Sequence, residues 1–247
     1  MARLHRQDLK KDEFIDTLDG FLLWVEDHGR SLLALAVIAV FGGGTVGGFY
    51  WYFRRQEQKA TTALAAALLT YEAPVQKGLP PLPGQGVQRT FTSEEEKYQA
   101  AEKEFAAVRE QFPRTRAGLM ARHYQALCQF QLGRSEAAVT ALEEIARAGD
   151  RNVAALARLH LAGFYESLGR REEAEKLYRQ LAEQPTATVP RELALLSLAN
   201  LQAGSNPAEA RQLYNQVKSE FPDSAVASEI DQRLERLPAP SSAPSQP

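Results

Sequence analysis

Between Arg30 and Arg54 the chain runs for 23 residues, Ser31 to Phe53, without a charged side chain. As an α-helix this run extends roughly 34 Å, slightly more than the roughly 30 Å hydrocarbon core of a bilayer. Its leucines, valines, isoleucine and phenylalanines each favour insertion by about 0.3 to 0.6 kcal/mol, and no central charge opposes them. At its far end Tyr50, Trp51 and Tyr52, whose rings suit the headgroup layer, are followed at once by Arg54 and Arg55. A buried helix of a soluble domain has no need of such an aromatic belt. A cleaved signal peptide would have a shorter apolar stretch, nearer the start and ending in small residues. The run predicts a retained single-pass anchor over residues 31–53. Within it Gly43 and Gly47, and likewise Gly44 and Gly48, form overlapping G-x-x-x-G pairs, which present a flat strip to a second helix or are simply tolerated glycines.

What precedes the anchor, residues 1–30, is too short for a domain. Phe14, Ile15, Leu18, Phe21, Leu22 and Val25 recur at helical spacing among Asp12, Glu13, Asp16, Asp19, Glu26 and Asp27, which predicts an acidic amphipathic helix. Lipid surfaces select basic helices, so protein contact or self-association competes here with membrane adhesion. Residues 54–237, on the C-terminal side of the anchor, hold the one real extramembrane domain. From Arg54 onward 24 Lys and Arg balance 24 Asp and Glu, so no basic face is available for nucleic acid. The lone cysteine, Cys128, lies in an apolar helical pattern and excludes disulfides and cysteine-rich metal sites.

Gln56 to Tyr71 reads as an alanine-rich helix. Seven prolines and glycines in Ala73 to Phe91 make residues 73–91 a loop, and Ser93 with Glu96 has the spacing of a capping box. From there the chain repeats. Ala101, Phe105 and Val108 are followed by Ala138, Leu142 and Ile145, then Ala174, Tyr178 and Leu181, then Ala210, Tyr214 and Val217, at offsets of 37, 36 and 36. Phe112-Pro113, Gln184-Pro185 and Phe221-Pro222 mark helix ends, and Gly133, Gly169 and Gly204 mark the turns ahead of three of the alanines. Asn206, Pro207 and Glu209 supply a cap, a first-turn proline and an acidic third residue.

These units are helix–turn–helix repeats. At Leu161-Ala162, Tyr165, Gly169, Ala174, Tyr178 and Leu181 they resemble the tetratricopeptide repeat, most closely from Ala155 to Pro185. The fold class expected is therefore all-α, with one N-terminal transmembrane helix and a tetratricopeptide-like solenoid. Asp223 to Leu237 reads as a closing helix, and residues 238–247 as a disordered Pro/Ser tail. From the usual repeat geometry Leu156, Leu159 and Glu166 point into a groove formed by the first helix of each pair. Met120, His123, Leu127 and Leu195 are their expected neighbours. In the last repeat the turn is one residue longer, which leaves the register there open by one.

No catalytic site is legible. His5, His28, His123 and His160 are the only histidines, and the 37-residue separation of His123 and His160 puts them at similar places in successive repeats rather than at metal-binding i, i+4 spacing. There is no glycine-rich phosphate loop and no nucleophile elbow; Glu94 to Glu96 is a first helical turn complementing its dipole. The expectation is a non-enzyme without metal or cofactor.

In its order of parts the chain resembles the YfgM family of ancillary subunits of the bacterial Sec translocon, over most of residues 10 to 237 and including the run KDEFIDTLDGFLLWVEDHGRSLL. The resemblance implies a cytoplasmic N-terminus, a repeat domain in the periplasm and a chaperone-like role beside the translocon, with translocon subunits, periplasmic chaperones and unfolded or nascent chains as partners. Self-association is open. The 73–91 loop and the Pro/Ser tail depart from that layout. Five Lys and Arg before the anchor against three close behind it also favour an N-terminus inside. The competing expectation is an envelope-assembly or cell-division scaffold whose repeats hold a folded partner.

Overall fold

Local signals set most helix boundaries in the computed structural model, which describes Arg30 and residues 44, 45, 47–76 and 90–238. The chain divides into two units, residues 1–56 and 57–247. In the first, residues 47–56 are helical and expose Phe49, Tyr50, Trp51 and Tyr52; the Arg55 guanidinium lies 5.1 Å over the Trp51 ring. Most of the expected span, the amphipathic segment 12–27, the centre of the 73–91 loop and the end of the tail lie outside the described residues. Among the described residues no helix is long and apolar enough to cross a membrane.

The second unit is a chain of helical hairpins. Residues 57–71 form α1. It is followed by α2 (Glu94–Gln111), α3 (Arg116–Gln131), α4 (Ser135–Ala146), α5 (Arg151–Ser167), α6 (Arg171–Glu183), α7 (Arg191–Ala203), α8 (Pro207–Glu220) and α9 (Ala227–Arg236). From α2 onward each packs against the next in order, and no strand is formed among the described residues beyond one isolated bridge, Val75 to Phe91, at the base of the loop. The four repeated alanines Ala101, Ala138, Ala174 and Ala210 fall on the second helices and are fully buried, as are or nearly are the residues four and seven positions on. A methyl group there lets the first helix cross closely, and the large side chain beside it fills the remaining space.

The helix ends follow their sequence signals with small departures. Phe112, Gln184 and Phe221 are the C-caps of α2, α6 and α8, each immediately ahead of a proline that has no N–H to continue the ladder. Gly133 and Gly169 close α3 and α5 at φ 77° and 76°, the left-handed region that costs a glycine nothing. Gly204 instead keeps φ −86°: the turn after α7 is three residues, like those after α3 and α5 and not one longer as expected, but it closes through the Ser205 and Asn206 N–H groups on the Gln202 carbonyl, where Arg134 and Arg170 reach one residue further back. Asn206 accepts the Glu209 N–H and caps α8 as expected. Ser93 accepts the Glu96 N–H, yet the Glu96 carboxylate reaches back to the N–H and hydroxyl of Thr92 rather than to Ser93, so the capping box is shifted by one. The closing helix starts at Ala227 rather than Asp223, since Ser224 turns the chain by accepting the Val226 N–H.

Hydrophobic packing forms two clusters. One joins α1, α2 and α3 through Ala60, Ala67, Phe105, Val108 and Cys128; the other runs from α3 to α9 through Ala126, Leu142, Leu161, Tyr178, Leu198 and Ile230. Cys128 is wholly buried, and that burial pushes its thiol up to about 12, in keeping with an inert core residue.

Candidate functional site: the face of the first helices

In each pair one helix carries the repeated alanine, which leaves α1, α3, α5 and α7 as the first helices. Equivalent positions on successive first helices meet. His123 on α3 and His160 on α5 come together with Nε2 of one 2.8 Å from Nδ1 of the other. Phe130 and Phe164 stack at 3.7 Å with their planes 6° apart. On the α1 side Tyr71 and Tyr124 meet edge to face at 5.5 Å, and Tyr124 stands edge-on to His123 at 5.6 Å. A band of aromatic and imidazole rings therefore runs across three repeats.

At the N-terminal ends of the same helices Thr61 and Leu64 from α1, Met120 from α3 and Leu156 from α5 line a pocket of about 220 Å³, mostly apolar, with Glu57 and Arg116 at its rim. That volume admits one aliphatic or aromatic side chain. The rim charges are already engaged. Glu57 accepts the backbone N–H groups of Arg116 and Ala117, each at 3.0 Å, and so caps α3 from another helix; Arg116 pairs with Asp150 at 3.2 Å.

The histidine pair is the polar centre of the face. His123 is completely buried and its Nδ1 has no partner, whereas His160 is half-buried. A buried unpaired lone pair costs less than a buried unpaired N–H, so we assign the proton to His123 Nε2, donating to His160 Nδ1. His160 Nε2 then carries the second N–H. Burial, with the neighbouring His160 adding to it, pushes the His123 imidazole down to about 3, and burial also lowers His160. Both are neutral at pH 7.

The expected groove residues divide by this geometry. Met120, Leu156 and Leu159 are half-buried; Met120 and Leu156 line the pocket, and Leu159 packs against the core cluster. His123 and Leu127 are buried by their neighbours rather than open, because adjacent first helices close over them. Leu195 is a correction: it lies in the core at 4% exposure, while Leu193 at 37% and half-buried Leu196 stand on either side. The connection that enters α7, residues 184–190, is longer than the one that enters α5, residues 147–150, and the fully buried alanines of the first helices, Ala126, Ala162 and Ala199, are 36 and then 37 apart, so that Leu196 rather than Leu195 corresponds to Leu159. Glu166 is exposed at the C-terminal end of α5 and interacts with the Tyr178 hydroxyl of its own repeat, which burial first and this carboxylate next push up to about 12. In the first unit Gly44, Gly47 and Gly48 are exposed, and a Cβ on any of them would meet nothing within 4 Å; Gly43 lies outside the described residues. Among the described residues no group of three or more potential ligands is gathered around a metal position.

The His123–His160 contact and the Phe130–Phe164 stack are the features that spacing alone does not deliver. A signal for them exists: residues 37 and 34 apart in a repeat of about 36 sit at nearly equivalent places on neighbouring helices, and neighbouring helices touch.

Hairpins stacked in sequence, with small residues at the crossings and a lined face of first helices, define a helical-repeat protein built for protein–protein contact. A profile of the tetratricopeptide repeat-like domain matches residues 23–239, and the chain belongs to that family. No curated protein and no solved structure matches it.

Proposed function

We propose that this is a membrane-anchored, non-enzymatic repeat protein that holds partner polypeptides on the face of its first helices, at the bacterial Sec translocon, in a chaperone-like role in periplasmic protein biogenesis. The observation that carries the reading is the face itself: a side-chain-sized apolar pocket beside a neutral imidazole pair, with its rim charges already satisfied. Such a surface suits apolar side chains of a passing chain better than a charged motif. The anchor is supported by the uncharged run 31–53, by the exposed aromatics at residues 49–53 and by a family match that begins at residue 23, ahead of that run. The excess of Lys and Arg ahead of that run, five against three close behind it, supports a cytoplasmic N-terminus and periplasmic repeats.

A photo-crosslinking residue at Leu156 in living cells tests the function. Capture of newly exported chains, lost when translocation is blocked, is the expected result. Capture of a single stoichiometric folded protein, indifferent to translocation, would replace it with the scaffold reading. Topology is checked with Ser245→Cys: a membrane-impermeant thiol reagent labels it in intact spheroplasts, and labelling only after lysis would invert the orientation.

A further inference from the structure

We propose that His160, held by His123, is the polar anchor of this face: its Nε2–H donates to a main-chain carbonyl of an extended, uncharged polypeptide segment, one of whose apolar side chains fills the pocket of Leu64, Met120 and Leu156. The proposal rests on the reading of the face as a polypeptide-binding surface and specifies what the surface takes.

The first support is the hydrogen-bond arrangement. His160 Nδ1 is consumed by His123 at 2.8 Å, which fixes the ring and leaves Nε2–H as its remaining donor. Among the described residues His123 Nδ1 is the only buried side-chain nitrogen or oxygen without a partner, so the unpaired Nε2 of half-buried His160 is not sealed in the core. The imidazole that fixes it is fully buried and so cannot serve a ligand itself.

Spacing is the second. Leu156 and His160 are one helical turn apart on one face, about 6 Å. Two residues of extended chain cover about 6.6 Å and return their side chains to the same side. A chain with one side chain in the pocket therefore brings a carbonyl from the next residues over His160 without bending.

Charge decides the occupant. The rim cation Arg116 is paired with Asp150, the Glu57 carboxylate is spent on the N-terminus of α3, and burial keeps both imidazoles uncharged. A charged side chain arriving here would lose water and meet no free counter-ion, whereas a main-chain carbonyl meets a donor.

The probe is a C-terminally amidated nonapeptide of alternating leucine and glycine with an N-terminal dansyl group, uncharged in its peptide part and without side-chain acceptors, read by fluorescence anisotropy against the full chain in lipid nanodiscs and corrected for empty discs and for free dansyl amide. Saturable binding is expected, abolished by Leu156→Glu and weakened about threefold to tenfold by His160→Phe. His160→Gln should bind as wild type, because its amide offers an acceptor to His123 and a donor outward. If Leu156→Glu abolishes binding while His160→Phe leaves it unchanged, the anchor is wrong and the surface stands. If the wild type does not bind, or Leu156→Glu binds equally well, the surface reading falls and the anchor with it. Should circular dichroism show His160→Phe misfolded, amide-to-ester replacements along the probe weaken one carbonyl at a time. One of them must lower wild-type affinity by a similar factor, and if none does the anchor is overturned.

Discussion

The buried histidine pair makes the repeat unit sensitive to mild acid. In the unfolded chain a histidine titrates near 6.5, whereas His123 in the fold is held down to about 3. Between those values the unfolded state binds the extra proton, so stability is fully present above pH 6.5 and is lost as the pH falls toward 3. Integrated from pH 8 to pH 5, His123 alone removes about 2 kcal/mol, and His160, also lowered, adds to the same slope. No other imidazole contributes, because His123 and His160 are the only histidines in residues 57–247. The carboxylates held low by hydrogen bonds or ion pairs, Glu96, Glu173 and Glu220, are shifted in the same direction, but their contribution is lost only as the pH falls below about 4.5, outside the range that reports on the imidazoles. Urea melts of residues 57–247 at half-unit steps from pH 8 to 5 should give a midpoint that falls with acid, at constant m value. In His123→Phe/His160→Leu the midpoint should be nearly flat. An equal slope in the wild type and the double variant would refute the reasoning, and so would a wild type that gains stability on acidification.

Three further tests of the repeat register and its supports use the same urea melts. Leu181→Ala, in the core of the third hairpin, should cost about 2 to 5 kcal/mol, and Asn206→Ala, which loses one cap hydrogen bond, about 1 kcal/mol; the reverse ranking would mean the register is wrong. Glu57→Ala should cost about 1 kcal/mol although the residue lies before the first hairpin's core, because it uncaps α3; no loss would mean water replaces the carboxylate without penalty. Gly118→Ala places a Cβ 2.0 Å from the Phe112 carbonyl oxygen and should destabilise by roughly 1 to 3 kcal/mol despite alanine's better helix propensity, a sign that a stabilised variant would contradict.

The second helices are almost fully legible in the chain because their signals are local and redundant. An alanine, a large apolar residue four on and another seven on define a buried stripe, and Phe112, Gln184 and Phe221 stop where proline forbids the next hydrogen bond. The first helices are less legible. Their apolar residues serve two surfaces, the core and the open face, and sequence spacing does not say which leucine turns which way. Leu195 shows the cost. The first-helix offset is 37 residues from Ala162 to Ala199 where it was 36 from Ala126 to Ala162, and one residue is about 100° around a helix, enough to move a leucine from face to core. Glu166 stays exposed, as its spacing suggests, but its interaction with the Tyr178 hydroxyl is one that spacing does not show.

The face also depends on a part of the chain that carries no repeat signature. α1 is not followed by the turn glycine of later hairpins, and the Pro/Gly-rich loop separates it from α2, so it reads as a plain alanine-rich helix. Yet it completes the pocket with Leu64 and Thr61, and its Glu57 fixes the start of α3 by taking the two N–H groups that α3 would otherwise leave to solvent. Without α1 the remaining first helices would keep the histidine pair but lose one wall of the pocket and the tyrosine that packs on Tyr124. The helix behind the uncharged segment is therefore a working part of the face rather than a spacer. Lengthening the chain between residue 53 and Glu57 should leave the face intact, whereas disrupting α1 itself should remove the pocket.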